Sequence, residues 1–137
     1  MSNYSEFSSR RAVAKCSNEA LYNLITDFRN ISKFATLDEF EAEATRCSFS
    51  VNPVGRVDVN IVSSTPSSEV IVKGNTSLTG EVDLKVNIEP IDQSSCAVLI
   101  NFGLELSPFL RIAFGGQIEN MLETLASAIE EHKFNEQ

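Results

Sequence analysis

Between Phe40 and Leu106 the apolar residues fall largely on every second position, a pattern that suits strands and not helices. Phe40, Ala42 and Ala44 alternate with Glu39, Glu41 and Glu43. Cys47, Phe49 and Val51 alternate with Ser48 and Ser50, and Val57, Val59 and Ile61 with Asp58 and Asn60. Val70-Ile71-Val72 is a short apolar strand. Val82, Leu84, Val86 and Ile88 alternate with Asp83, Lys85, Asn87 and Glu89. Val98, Ile100, Phe102, Leu104 and Leu106 alternate with Asn101, Gly103 and Glu105. Turn-forming residues separate several of these runs: Asn52-Pro53-Val54-Gly55, Thr65-Pro66-Ser67-Ser68 and Asp92-Gln93-Ser94-Ser95. Six strands joined by short turns predict an antiparallel meander with one buried and one wet face.

A half-buried sheet needs a cover, and the last segment supplies one. Ser107 is placed to cap a helix and Pro108 to occupy its first position. Leu110, Phe114, Ile118, Met121, Leu125 and Ile129 then lie on one stripe. From residue 108 to about 132 the helix would run roughly 37 Å and could cross the whole sheet. Gly115-Gly116 falls inside it and predicts a kink, a close approach of the short helices, or a flexible portal rim. Ahead of the meander, residues 3–15 read as one more strand with Phe7 and Val13 on one parity, a seventh for the sheet. Ser17 caps a short helix over about 18–28, with Glu19 in its first turn and Leu21, Leu24, Ile25 and Phe28 at helical spacing. Asn30-Ile31-Ser32-Lys33-Phe34 is placed to form a second, shorter one.

Charge and composition remove several functions. Nineteen acidic residues against 11 basic ones give a net charge of −8, a field that repels nucleic acid and anionic membrane surfaces. No apolar run reaches the roughly 18 to 20 residues that a membrane helix needs. The polar start, MSNYSEFSSRRAVAK, does not read as a secretory signal. Cys16, Cys47 and Cys96 are odd in number and widely spaced, which predicts free thiols in a reducing cytoplasm and neither a disulfide framework nor a zinc site. There is one histidine, His132, near the chain end, where it suits the helix dipole better than catalysis. No phosphate-binding glycine loop is present, and nothing points to a cofactor.

The order of strand, two short helices, six strands and a long helix resembles the helix-grip fold of the START-like (SRPBCC) superfamily. That group includes the birch-pollen-allergen-like and the polyketide cyclase/dehydrase-like proteins. The resemblance spans essentially residues 1–137, read as a single domain, and looks closest to small single-domain bacterial members. It rests on element order and on local texture: Ser17-Asn18-Glu19-Ala20-Leu21-Tyr22 with Phe28 through Phe34, the Phe49–Ile61 hairpin, and Ser107-Pro108-Phe109. It implies an α+β architecture, a curved seven-stranded antiparallel sheet wrapped around the C-terminal helix, with a cavity between them. Family members use that cavity for lipids, sterols, polyketides and hormones, and a minority catalyse cyclisation or dehydration there. No catalytic set of theirs maps onto positions of this sequence.

The candidate site residues follow from the faces. Ile61, Leu84, Val86, Phe102 and Leu104 of the sheet, and Phe114, Ile118 and Met121 of the helix, either line a cavity or fill a core; the two share one composition. Arg11 shares parity with Phe7, Arg46 continues Phe40, Ala42 and Ala44, and Ser63 continues Ile61. Either arginine, if turned inward, would bind a ligand carboxylate in bidentate fashion; at a strand end or bulge it reaches water instead. Glu39, Glu41 and Glu43 suit a solvated edge rather than a metal. The leading expectation is a binding module for a hydrophobic small molecule such as a lipid, isoprenoid or polyketide-like metabolite. A cyclase or dehydratase using the same cavity is the alternative, with Tyr22, Arg11, Arg46 and Asp27 as its few ionisable candidates. A protein-interaction module is the third, since Leu99 and Ile71 fall on the outer face and could support a homodimer.

Overall fold

The structure, a computed structural model, describes residues 4–33, 38–51, 55–76 and 80–132. The expected turn residues Asn52-Pro53-Val54, Phe34 of the second short helix, and the tail from Lys133 lie outside them. The chain runs through β1 (Tyr4–Ser8), β2 (Ala12–Ala14), α1 (Asn18–Ile25) and a 3-10 turn (Phe28–Lys33). The meander follows as β3 (Asp38–Ala42), β4 (Arg46–Val51), β5 (Gly55–Thr65), β6 (Glu69–Thr76), β7 (Gly80–Asp92) and β8 (Ser95–Glu105), and α2 (Pro108–Glu131) ends it. The strands form one antiparallel sheet in the order β1-β8-β7-β6-β5-β4-β3, with β2 also pairing with β8. This is the α+β helix-grip architecture.

The alternation of β7 and β8 survives intact because the two strands pair in step over their apolar positions. Leu84 sits opposite Phe102, Val86 opposite Ile100 and Ile88 opposite Val98. Elsewhere single residues shift the parity, and each shift corrects an expectation. The strand expected over 3–15 is two strands. Ser9 exchanges two hydrogen bonds with Ile100, its N–H donating to the Ile100 carbonyl (2.8 Å) and its hydroxyl accepting from the Ile100 N–H (3.0 Å). Before this point Ser5, Phe7 and Ser9 are buried; after it Ala12, Ala14 and Cys16 are, so Val13 and Arg11 turn outward. A slip between Ile61 and Ser63 leaves Val62 52% exposed and puts Ser64 opposite buried Val70. Ser63 therefore leaves the register of Val57, Val59 and Ile61, and Ser63 and Ser64 are both exposed. The Glu43 N–H donates to the Arg46 carbonyl (2.8 Å), closing a turn after which Cys47 is buried and Arg46 exposed.

Both helix starts are as expected. The Ser17 hydroxyl accepts from the Ala20 N–H (3.1 Å), and the Ser107 hydroxyl from the Leu110 N–H (3.2 Å). α1 stops at Ile25 rather than 28 because the Thr26 hydroxyl donates back to the Tyr22 carbonyl (2.7 Å), and Asp27 accepts from the Arg29 N–H (3.0 Å) to open the 3-10 turn.

α2 runs unbroken through Gly115-Gly116. Gly115 is buried, and a side chain there would reach Phe7 of β1, so the close partner is a strand and not the short helices. Its buried stripe is Gly115, Ile118, Leu122, Ala126 and Ile129. Phe114 and Met121, expected on that stripe, are half-buried on its flank. The helix approaches β1, β2 and β8 most closely, and further across the sheet its Leu125 and Ile129 share a cavity with Val70 and Val72 of β6. Arg10, in the break between β1 and β2, fixes this placement. Its guanidinium donates to Glu123 (2.9 Å), Glu130 (2.7 Å) and the Ser127 hydroxyl (3.1 Å). Paired with Arg10, the Glu130 carboxyl is held below the ordinary glutamate range.

The rotated stripe is checked by two substitutions. Leu122, 1% exposed, is expected to cost about 2–5 kcal/mol of urea-measured stability when changed to Ala, and Met121→Ala about 1 kcal/mol. Equal losses would contradict this packing.

Candidate functional site

Because α2 sits to one side, the inner face toward β6 and β5 needs another cover, and α1 provides it. Leu21, Leu24 and Ile25 share a helix face that points at the sheet, and Phe28 continues it into the 3-10 turn. Three hydrogen bonds hold this segment down. The Asn18 amide donates to the Ser67 carbonyl (3.0 Å), the Tyr22 hydroxyl to the Ser64 hydroxyl (2.7 Å), and the Phe28 N–H to the Ala44 carbonyl (2.8 Å). α1 and the 3-10 turn are thus tied to the end of the β4–β5 hairpin where β4 begins and β5 finishes.

Between α1, α2 and the sheet lies a cavity of about 140 Å³. Its roof is Leu21, Leu24, Ile25 and Phe28, with Leu125 and Ile129 of α2 at the side. Its floor is Val70 and Val72 of β6, Leu84 and Val86 of β7, and Val98 and Ile100 of β8. Every one of these side chains is hydrocarbon. The cavity lies where two core clusters meet, one around Leu21, Val98 and Leu122 and one around Phe28, Cys47, Val70 and Val72.

Of the residues expected to line a cavity, Leu84 and Val86 do so. Ile61 is half-buried beside the second cluster. Phe102, Leu104 and Ile118 belong to the solid first cluster, and Phe114 and Met121 remain on the flank of α2. Arg11 and Arg46 are exposed. Neither turns inward, because the bulge at Ser9 and the turn at 43–46 reverse the parity on which that expectation stood. Arg11 instead borders an open groove of about 540 Å³ on the outer face, with Glu69, Asn87, Glu89 and Leu99. Leu99 and Ile71 do not form one apolar patch, since Leu99 pairs with Asn87 and Ile71 with Lys85. The α1 contribution was missed by sequence reasoning. Its signal was an apolar face of four residues on a short helix that the long helix could not be covering.

Among the described residues, no thiol or carboxylate lines the cavity. Burial pushes the Cys16 thiol up to about 12 and the Cys47 thiol up to about 11, and raises Cys96 as well. Asp27 is bound by its neighbour Arg29 at 2.6 Å. Glu39 accepts from the Ser50 hydroxyl and Glu41 from Arg56 (3.4 Å), both at the exposed edge. Among the described residues no group of acidic, histidine and cysteine side chains could hold a metal, and no helix is long and apolar enough to cross a membrane.

No protein-family model matches the sequence, and no curated protein matches it significantly. Solved structures do match. The chain is similar to a START superfamily protein from Mycobacterium smegmatis, with a TM-score of 0.73 and 12% identity over 91% of this chain and 94% of that one. It is similar to a truncated norcoclaurine synthase from Thalictrum flavum, with a TM-score of 0.73 and 11% identity over 96% and 97%. It is also similar to the di-domain ARO/CYC BexL from the BE-7585A biosynthetic pathway, with a TM-score of 0.73 and 10% identity over 93% of this chain and 46% of that one. These likenesses show a START-like fold.

The buried thiols give a direct check. With Cys16 titrating near 12, its thiolate fraction at pH 8 is roughly one in ten thousand. Ellman's reagent at pH 8 is expected to leave all three thiols unlabelled over the time in which guanidinium-unfolded protein reacts fully. Rapid labelling of the native protein would contradict this burial.

Proposed function

We propose that this protein binds a hydrophobic small molecule in the cavity between α1, α2 and the sheet, as a carrier or sensor. The observation that supports this reading is a cavity walled by hydrocarbon side chains from three sheet strands, both helices and the 3-10 turn. Apolar surface entering it gains about 25 cal/mol per Å² before ordering costs. Size narrows the ligand. Drug-sized molecules occupy pockets of roughly 300–1,000 Å³, whereas an apolar cavity of about 150 Å³ stays dry and takes up benzene or xenon. The cavity therefore suits one ring or one branched isoprene-like unit. A longer lipid, isoprenoid or polyketide-like molecule would seat one end here and lie over the half-buried Phe49, Val59 and Ile61, which pack against Val70 and Val72. A cyclase or dehydratase would need a proton donor or acceptor on this wall, and the residues forming it present none.

Toluene is the simplest probe. It is expected to bind with Kd on the order of 0.1–1 mM, since so small a ligand buries little surface. At five times Kd it should stabilise the fold by about 1 kcal/mol. Val86→Phe, which fills much of the space, is expected to abolish both effects. A wild-type protein indifferent to toluene, or a Val86→Phe variant that responds equally, would overturn the proposal.

A further inference from the structure

The exposed apolar surface of this chain is concentrated on the first half of α2, not on the outer face of the sheet. Phe109 and Ile112 are 76% and 86% exposed, more than any other large hydrophobic residue described. Ala113 and Gly116 are exposed as well. The four follow the spacing i, i+3, i+4, i+7, which places them on one face of the helix. From Ser107 to Ile118 the one charged residue is Arg111, and its guanidinium is turned back over the Phe7 ring at 5.1 Å. A surface helix carries polar and charged residues on its outward face. This stripe carries neither, which is the composition of a contact.

Gly116 indicates what the stripe meets. A glycine inside a helix destabilises it relative to alanine. Gly115 has a neighbour in Phe7, but a side chain at Gly116 would meet nothing within 4 Å, so no contact within the described chain calls for glycine there. Glycine on a helix surface lets a second backbone or a large side chain come close. The stripe is also self-complementary, with the two large residues first and two small ones after them. A second α2 running antiparallel, related by a two-fold axis between Ile112 and Ala113, sets Phe109 into the notch at Gly116 of the second copy. It sets Ile112 against Ala113 in the same way. Each contact occurs twice, as an isologous interface requires. Charge agrees with this pairing. The first turn of α2 has no acidic residue of its own. The antiparallel arrangement brings the exposed Glu119 of one copy to the helix start of the other, where a carboxylate is favoured.

We infer that this face of α2 pairs with a second copy of the chain, antiparallel, through Phe109, Ile112, Ala113 and Gly116. A two-turn stripe covers roughly half of the about 800 Å² per partner of a standard interface, so the dimer is reversible, with Kd on the order of 0.1 mM. The cavity residues of α2 are Leu125 and Ile129, at its other end, so pairing and cavity are independent of each other.

Sedimentation equilibrium of the full chain, up to about 1 mM, tests this; with such a Kd about four-fifths of the wild-type chains are expected in dimers at the top of that range. Gly116→Gln fills the notch with a good helix former where the chain's own fold leaves open space. It is expected to raise the thermal midpoint of dilute protein while weakening association more than tenfold. Ile112→Glu is expected to weaken association as much. A loosened fold does not imitate a stabilised variant that no longer pairs. The native thiols are buried, so a cysteine introduced on the surface reports position. Ala113→Cys, beside the axis, is expected to cross-link two copies on mild oxidation, and Glu131→Cys, at the far end of α2, is not. A wild type that stays monomeric at about 1 mM refutes the inference. So does an association constant unchanged in both Gly116→Gln and Ile112→Glu, or a Glu131→Cys variant that cross-links as readily as Ala113→Cys.

Discussion

Packing α2 against the β1, β2 and β8 edge leaves the rest of the inner face to be covered by something else, and the site is built from that shortfall. The helix is drawn to this edge by its stripe of Gly115, Ile118, Leu122, Ala126 and Ile129 and held there by Arg10, which reaches Glu123, Glu130 and Ser127. Gly115 is buried against Phe7 of β1. Apolar strand positions further across, from Val70 to Val86, then need their own lid. α1 is too short to be stable alone. It keeps its place through its apolar face and through three hydrogen bonds, at Asn18, Tyr22 and Phe28. Two helices of unequal length meeting over one sheet do not close completely, and the space left between them is the cavity.

Much of this fold was legible from patterning. The caps at Ser17 and Ser107, the in-step alternation of β7 and β8, and the single long helix all follow from local rules that tertiary contacts did not override. The errors have one physical source. A single-residue bulge or turn flips every side chain beyond it to the other face. The ones at Ser9, at 43–46 and at Val62 moved Arg11 and Arg46 outward and shifted Ser63 out of the register of Ile61. The same sensitivity applies to a helix, where one residue is about 100° of rotation. That is why Leu122 and Ala126, rather than Phe114 and Met121, are buried. The cavity itself was not legible, because its volume depends on how far apart packed elements come to rest, and residue identity alone does not state that.

START-like proteins share a scaffold that accommodates unlike chemistries, so the fold by itself assigns no reaction. What distinguishes this chain is local. Its cavity wall is hydrocarbon, its thiols are buried and raised, and its charges are exposed or paired.

Xenon tests the central claim most directly, because it reports an accessible apolar void without requiring a correct guess at the ligand. The measurement is anomalous diffraction from a xenon-pressurised crystal. Xenon is expected between Leu24, Val72, Leu84 and Leu125, and that density is expected to vanish in Val86→Phe. A crystal with no xenon at that position, or with the α1 side chains collapsed onto the sheet and the space filled, would contradict it.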